Sequence, residues 1–319
     1  MTNITESKYK GQKAIVLESN QLKATFLPGI GAKMASLVHK PLQKELLTQR
    51  LGEKYKTQPY DGNYLIGEGS AFDDMFPNID ACFYNRFPWE GTPLPDHGEV
   101  WQLPWEMDTM GDKVHFKVNG IRLPYVMERW LNFDDDDTLV INYKATNPTP
   151  YEMDFVWAAH IMLNANEGDT IEVDENLKNA FVTYCMSRQM GDYGRIITFP
   201  LCDDMNGYPV NLQNLPGPVK NDFFKFYFQE SMKYGVCKLN YLKEGKSLKI
   251  WVPVNEVPYL GLLYNSGGGK DIIDMDGTNF YFEPCTAPFD RPDIARLHNK
   301  QSTLKPYEEK SWYLKIAVI

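Results

Sequence analysis

Asp154-Phe155-Val156-Trp157-Ala158-Ala159-His160-Ile161-Met162-Leu163-Asn164 is the stretch whose reading decides the fold. From Phe155 to Leu163 it is apolar apart from one histidine. Pro148 and Pro150 precede it and Gly168-Asp169 follows, so it reads as a strand buried on both faces. Strand alternation turns His160 to the same side as Val156, Ala158 and Met162, with Phe155, Trp157, Ala159 and Ile161 on the other. Small Ala158 leaves room beside the imidazole, as in a ligand pocket lined from a sheet. Taken alone, the segment favours a core histidine hydrogen-bonded to a neighbour, because buried polar groups are usually satisfied structural groups.

Strand signals surround that segment. Ala14 to Leu17 and Leu22 to Leu27 flank Ser19-Asn20 as a hairpin, and Lys33 to Val38 follows as another strand. Lys113 to Val118 ends at the turn signal Asn119-Gly120. Tyr125 to Phe133 ends in the run Asp134 to Asp137, and Leu139 to Thr146 alternates as a half-buried strand. Further strands are expected at Ile171 to Val173, Phe181 to Tyr184, Phe223 to Phe228, Gly235 to Leu239 and Leu248 to Pro253. Tyr259 to Tyr264, Asn279 to Glu283 and Ser311 to Val318 complete the set. Pro41 to Lys56, with Leu42, Leu46 and Leu47, is the one helical expectation. Residues 57 to 105 show no sustained periodicity and are rich in aromatics and carboxylates, which stack on and hydrogen-bond to sugars. A long irregular segment of this kind is a natural binding surface. Residues 200 to 222 read as a surface loop. Many short strands joined by Gly, Pro and Asn/Asp turns predict an all-β fold, a large antiparallel β-sandwich, with residues 1–319 as one domain.

Composition narrows the partners. The 33 Lys and Arg against 42 Asp and Glu give a net charge of −9, poorly suited to nucleic acid or an anionic membrane surface. No apolar run approaches the ~20 residues that span a bilayer. The segment Met1 to Gly11 lacks the apolar core of a signal peptide. Cys82, Cys185, Cys202, Cys237 and Cys285 are odd in number and scattered, which favours free thiols in a reducing compartment. The cytoplasm is therefore the expected location.

Several chemistries fail on spacing. Ser266-Gly267-Gly268-Gly269-Lys270 is followed by Asp271 and lacks the earlier glycine of a phosphate loop. His97-x-Glu99 and Pro284-Cys285 match parts of the zinc deaminase signature, but no cysteine stands three residues after Cys285. There is no His-Glu-x-x-His and no Gly-x-Ser-x-Gly.

Three further segments belong together. They are Leu94-Pro95-Asp96-His97-Gly98-Glu99-Val100-Trp101; the stretch from Arg129 to Trp157-Ala158-Ala159-His160; and Pro258-Tyr259-Leu260-Gly261 with Asn265-Ser266-Gly267-Gly268 and Phe282-Glu283-Pro284-Cys285-Thr286. In order and spacing they resemble the aldose 1-epimerase (galactose mutarotase-like) family, over most of the chain. The resemblance implies a sugar bound in a groove across one sheet and exchange of α- and β-anomers without a cofactor or metal. By position it makes His160 the general acid, Glu283 the general base and His97 a sugar-binding residue. Glu99 and Asp74 are added as substrate-binding expectations on weaker grounds, because acidic loop residues are often merely solvated. Trp101, Trp105 and Trp157 are either sugar-stacking or core residues. The hexose-phosphate branch carries an arginine where this chain has Trp101, and Asn85-Arg86 lies too close to His97 to match, so Arg86 receives no role. The same fold also suits a non-catalytic sugar sensor, or an isomerase or lyase of a modified or oligomeric sugar.

Overall fold

The computed structural model describes residues 2–64, 66–67, 69–134, 137–217, 222–267 and 278–319. Glu68, residues 135–136 of the acidic run, residues 218–221 of the proline-rich loop and Gly268 to Lys270 lie outside the described residues.

Two antiparallel sheets carry the molecule. The larger runs, in spatial order, through Asn3–Tyr9, Gln12–Glu18, Leu22–Leu27, Lys33–His39, Phe72–Met75, Ala158–Ala165, Thr278–Cys285, Tyr259–Ser266, Asp222–Phe228, Asn179–Cys185 and Ile196–Thr198. The second holds eight strands, with Glu309–Val318 at its centre between Lys246–Trp251 and Leu139–Thr146. The expected sandwich is what forms. Phe26, Phe116, Leu131, Ile141, Phe155, Trp157, Ile161, Phe282 and Leu314 fill one continuous buried layer that draws on both sheets. The Phe155, Trp157, Ala159, Ile161 side of the opening stretch points into that layer, while Val156, Ala158 and Met162 belong to smaller clusters on the other face.

One inter-sheet contact is ionic. Asp74, from the larger sheet, pairs with Arg129, from Val126–Phe133 of the second sheet, and both are about 1 % exposed. The guanidinium also donates to the Ala32 carbonyl, and Trp157 Nε1 donates to Asp74 Oδ1 at 3.0 Å. A buried pair persists only when its remaining lone pairs and protons are taken up in this way.

Four expectations need correction. Pro41 to Lys56 is not a helix: Lys44–Glu45 is a short strand, and the Leu46 and Thr48 amides donate to the Leu37 and Met162 carbonyls. Backbone pairing with the sheet, together with burial of the adjacent Leu46 and Leu47, overrides a weak helical pattern. The Asp154–Asn164 stretch is two strands, Met153–Phe155 and Ala158–Ala165, broken at Val156-Trp157. Within residues 57 to 105, Phe72–Met75 is a strand of the larger sheet. The 200–222 loop contains a small hairpin, Leu201–Asp203 with Pro209–Asn211.

Candidate active site

The outer face of the larger sheet builds a row of side chains across its strands. Register pairs His160 with Asp73 on one side, and the pairing of Ile161 with Phe282 sets His160 beside Glu283 on the other. Glu283 faces Gly261, Gly261 faces Tyr227 and Tyr227 faces Phe181. The row is therefore Asp73, His160, Glu283, Gly261, Tyr227, Phe181. Gly261 is a spatial necessity: a Cβ there would lie 2.6 Å from Tyr227 Cε1, so the absent side chain lets the phenol lie across the strand. Gly261→Ala is expected to cost about 1–3 kcal/mol by overpacking. The urea midpoint measures this, and an unchanged midpoint would contradict it.

Beside His160 of this row lies a cavity of about 390 Å³, over the neighbouring row Met162, Tyr281, Leu263 and Lys225. His160 is 6 % exposed and Glu283 fully buried. His160 Nε2 stands 3.6 Å from Glu283 Oε1. Its Nδ1 is 3.1 Å from the Tyr64 hydroxyl, which also donates to Asp73 Oδ2 at 3.1 Å. Asp73 in turn is paired with buried Lys33. Burial, then the positive potential of His97, Lys225 and Lys33, holds the His160 imidazole well below its ordinary pKa. The ring is thus neutral in the unliganded protein near pH 7.

Glu283 has a cation beside it. Lys225 Nζ is 2.9 Å from Glu283 Oε2 and 2.8 Å from Asp290 Oδ1, and the Tyr227 hydroxyl donates to Asp290 Oδ1 at 2.6 Å. Burial disfavours the ammonium, but Asp290 and Glu283 outweigh it and hold Lys225 well above its ordinary pKa. Burial and the facing Asp290 push Asp80, which also lines the cavity, upward.

The loop carrying His97 closes one wall. His97 adopts φ +61° and its ring lies parallel to that of Tyr64, with centroids 3.8 Å apart and planes at 8°. Gly98 follows at φ +72°, where a Cβ would come within 2.4 Å of the Phe76 carbonyl oxygen. His97 Nδ1 is 3.0 Å from Asp96 Oδ1, and its ring centroid is 5.6 Å from that of His160. Trp101 braces the wall edge-on to Tyr64 and donates from Nε1 to the Asp96 carbonyl.

His160 and His97 thus line the cavity, with Glu283 buried behind His160, while Asp74 and Glu99 stay out of it. Asp74 alternates inward from Asp73 and is held by Arg129. Glu99 is fully buried, and its Oε1 accepts from the Tyr60 hydroxyl and the Ile121 and Arg122 amides. Arg86 is held by Asp154 at 2.6 Å and by Glu152. Trp105 and Trp157 are core residues. Lys225, Tyr64, Asp73 and Asp290 were not picked out from the sequence, although a lysine inside the aromatic run Phe223 to Phe228 is the same kind of signal as His160.

Known structures share this architecture. The chain superposes over its whole length on Slr1438 from Synechocystis sp. PCC 6803, covering 99 % of that chain at TM-score 0.69 and 13 % identity. It covers 97 % of a galactose mutarotase related enzyme from Lactobacillus acidophilus, using 96 % of its own length, at TM-score 0.67 and 15 % identity. A galactose mutarotase-like protein from Lactobacillus casei ATCC 334 is covered completely by 96 % of this chain, at TM-score 0.65 and 18 % identity. The chain has the galactose mutarotase-like fold. No protein-family model and no curated protein sequence matches it.

Proposed function

We propose that this protein is an aldose 1-epimerase acting on an unphosphorylated aldose. The observation that carries the reading is the 3.6 Å separation of His160 Nε2, at the cavity, and Glu283 Oε1, buried directly behind it. Anomer exchange removes the proton of the C1 hydroxyl while the ring oxygen gains one. Those two oxygens share a single carbon, so acid and base must converge on one point. Glu283 takes the hydroxyl proton and His160 delivers a proton to the ring oxygen. The C1–C2 bond then rotates, and the roles reverse as the ring closes on the other face. His97, stacked on Tyr64 at the wall, is placed to hold a hydroxyl. Lys225 holds Glu283 in place and balances its charge. Polarimetry of freshly dissolved pure anomers across a panel of sugars tests the proposal. A rate no faster than the spontaneous one for every sugar would reject it.

The charge of the cavity bears on the substrate. Lys225 is its strong cation among the described lining residues and is already paired with Glu283 and Asp290, while Asp80 and Asp96 add carboxylates. Arg86, the other nearby cation in sequence, is taken up by Asp154 and Glu152. Among the described lining residues a phosphate dianion would meet like charge with no free guanidinium to receive it. The specificity constant for a neutral hexose is expected to exceed that for its 6-phosphate by roughly tenfold or more. A preference for the phosphate would overturn the substrate assignment.

A further inference from the structure

The Tyr64 hydroxyl has one proton and two neighbours able to take it. His160 Nδ1 and Asp73 Oδ2 both lie 3.1 Å from the phenol oxygen. Tyr64 and Asp73 are each 2 % exposed, so bulk water does not compete for these bonds. The phenol cannot swing away to choose another partner. Its ring is stacked on His97 and meets both Trp101 and His160 edge-on, at 4.9 Å and 5.6 Å between centroids.

Asp73 is the stronger acceptor of the two. Burial raises its pKa, but buried Lys33 is in contact with Oδ2 and favours the carboxylate. An ionised carboxylate accepts hydrogen bonds and donates none. The phenol proton therefore goes to Asp73, and the phenol oxygen is left to accept from His160. A neutral imidazole carries a single N–H, and the bond made by one nitrogen fixes the state of the other. That hydrogen belongs on Nδ1, which leaves Nε2 bare. Nε2 faces Glu283 Oε1 at 3.6 Å, too far for a hydrogen bond, and Oε1 has no hydrogen-bond partner among the described residues. The opposite tautomer would give up a bond at the phenol and gain only this long contact.

We infer that Tyr64, backed by Asp73 and Lys33, is a positioning residue that holds His160 as its Nδ1–H tautomer, so that Nε2 alone carries the proton exchanged with the sugar. The consequence for catalysis rests on the anomer-exchange reading above; the tautomer is a property of the unliganded protein. Once Nε2 is protonated, its proton passes to the ring oxygen, and the bond from C1 to that oxygen breaks with its electron pair left on the oxygen. The C1 hydroxyl proton goes to Glu283, and the O–H electron pair becomes the second bond of the aldehyde carbonyl. Nε2 is bare again, and Nδ1 has kept its proton on Tyr64. Donor and base thus stay side by side through ring opening and closure.

Nitrogen NMR of the full chain labelled with ring-15N histidine tests the inference, because bare and hydrogen-bearing ring nitrogens resonate far apart. The His160 signals are those, among five histidines, that disappear in His160→Asn. At neutral pH the unmodified protein is expected to show a hydrogen-bearing Nδ1 and a bare Nε2. Any other pattern overturns the inference, and no variant is needed to read it. Tyr64→Phe keeps the ring against His97 and removes only the oxygen. It is expected to move His160 toward the Nε2–H form and to lower kcat about tenfold or more, with KM within about twofold. An unchanged tautomer or an unchanged kcat in this variant overturns the role of Tyr64. If no sugar is epimerised by the unmodified protein, the anomer-exchange reading fails separately, and the nitrogen shifts alone decide the tautomer.

Discussion

Glu283→Gln is expected to lower the turnover of anomer exchange by about 10²–10⁴-fold, the range a positioned general base contributes. Glutamine keeps the planar shape of a fully buried side chain but cannot accept the C1 hydroxyl proton. The change also removes one of the two carboxylates on Lys225. Asp290, at 2.8 Å, still pairs with the ammonium, so no buried charge is stranded and the fold is expected to survive. Polarimetry measures the activity and a thermal melt checks the fold. Activity within a few-fold of the unmodified protein would remove Glu283 from the mechanism. A collapsed melt would instead show that the Lys225 cluster holds the sheet together.

The residues that could be placed in advance are those governed by a local period of two. Alternation assigned His160 to the face opposite Trp157 and Ile161, and that assignment survives the break at Val156-Trp157, because the chain re-enters the sheet in the same phase. Alternation could not tell Asp73 from Asp74. Both lie in a segment with no visible pattern, and only pairing with the His160 strand turns Asp73 outward and Asp74 toward Arg129. Lys225 was hidden for another reason. Its strand was recognised, but its place two strands from Glu283 depends on the order in which distant strands assemble, which no local pattern encodes. Glu99 shows the reverse error. It sits in the His97 motif, yet with His97 and Gly98 both at positive φ the loop carries it away from the cavity to backbone amides of residues 121 and 122. The resemblance singled out His160 and Glu283; topology set Tyr64, Asp73 and Lys225 beside them.

His160→Asn is expected to lower turnover by a similar ~10²–10⁴-fold, because the ring oxygen loses its proton donor. The amide still offers a hydrogen-bonding group to the Tyr64 hydroxyl but cannot exchange a proton at working pH. The pH profile separates this role from mere packing. His160 is surrounded by His97, Lys225 and Lys33, which disfavour its charge, by Glu283 at 3.6 Å and by the rings of Tyr64 and Tyr281. With burial as the largest effect, its pKa lies well below the ordinary 6.5, so the imidazolium is scarce at neutral pH and accumulates only on acidification. If the imidazolium delivers the proton, kcat/KM for a neutral hexose rises as pH falls from about 8 toward about 5, since kcat/KM reports groups of the free enzyme. The same rise is expected to vanish in His160→Asn while its melt remains close to that of the unmodified protein. A wild-type profile that is flat over this range, or a rise that persists in the asparagine variant, would move the donor's role to another group of the cavity. Lys225, 2.9 Å from Glu283, would be the first to test.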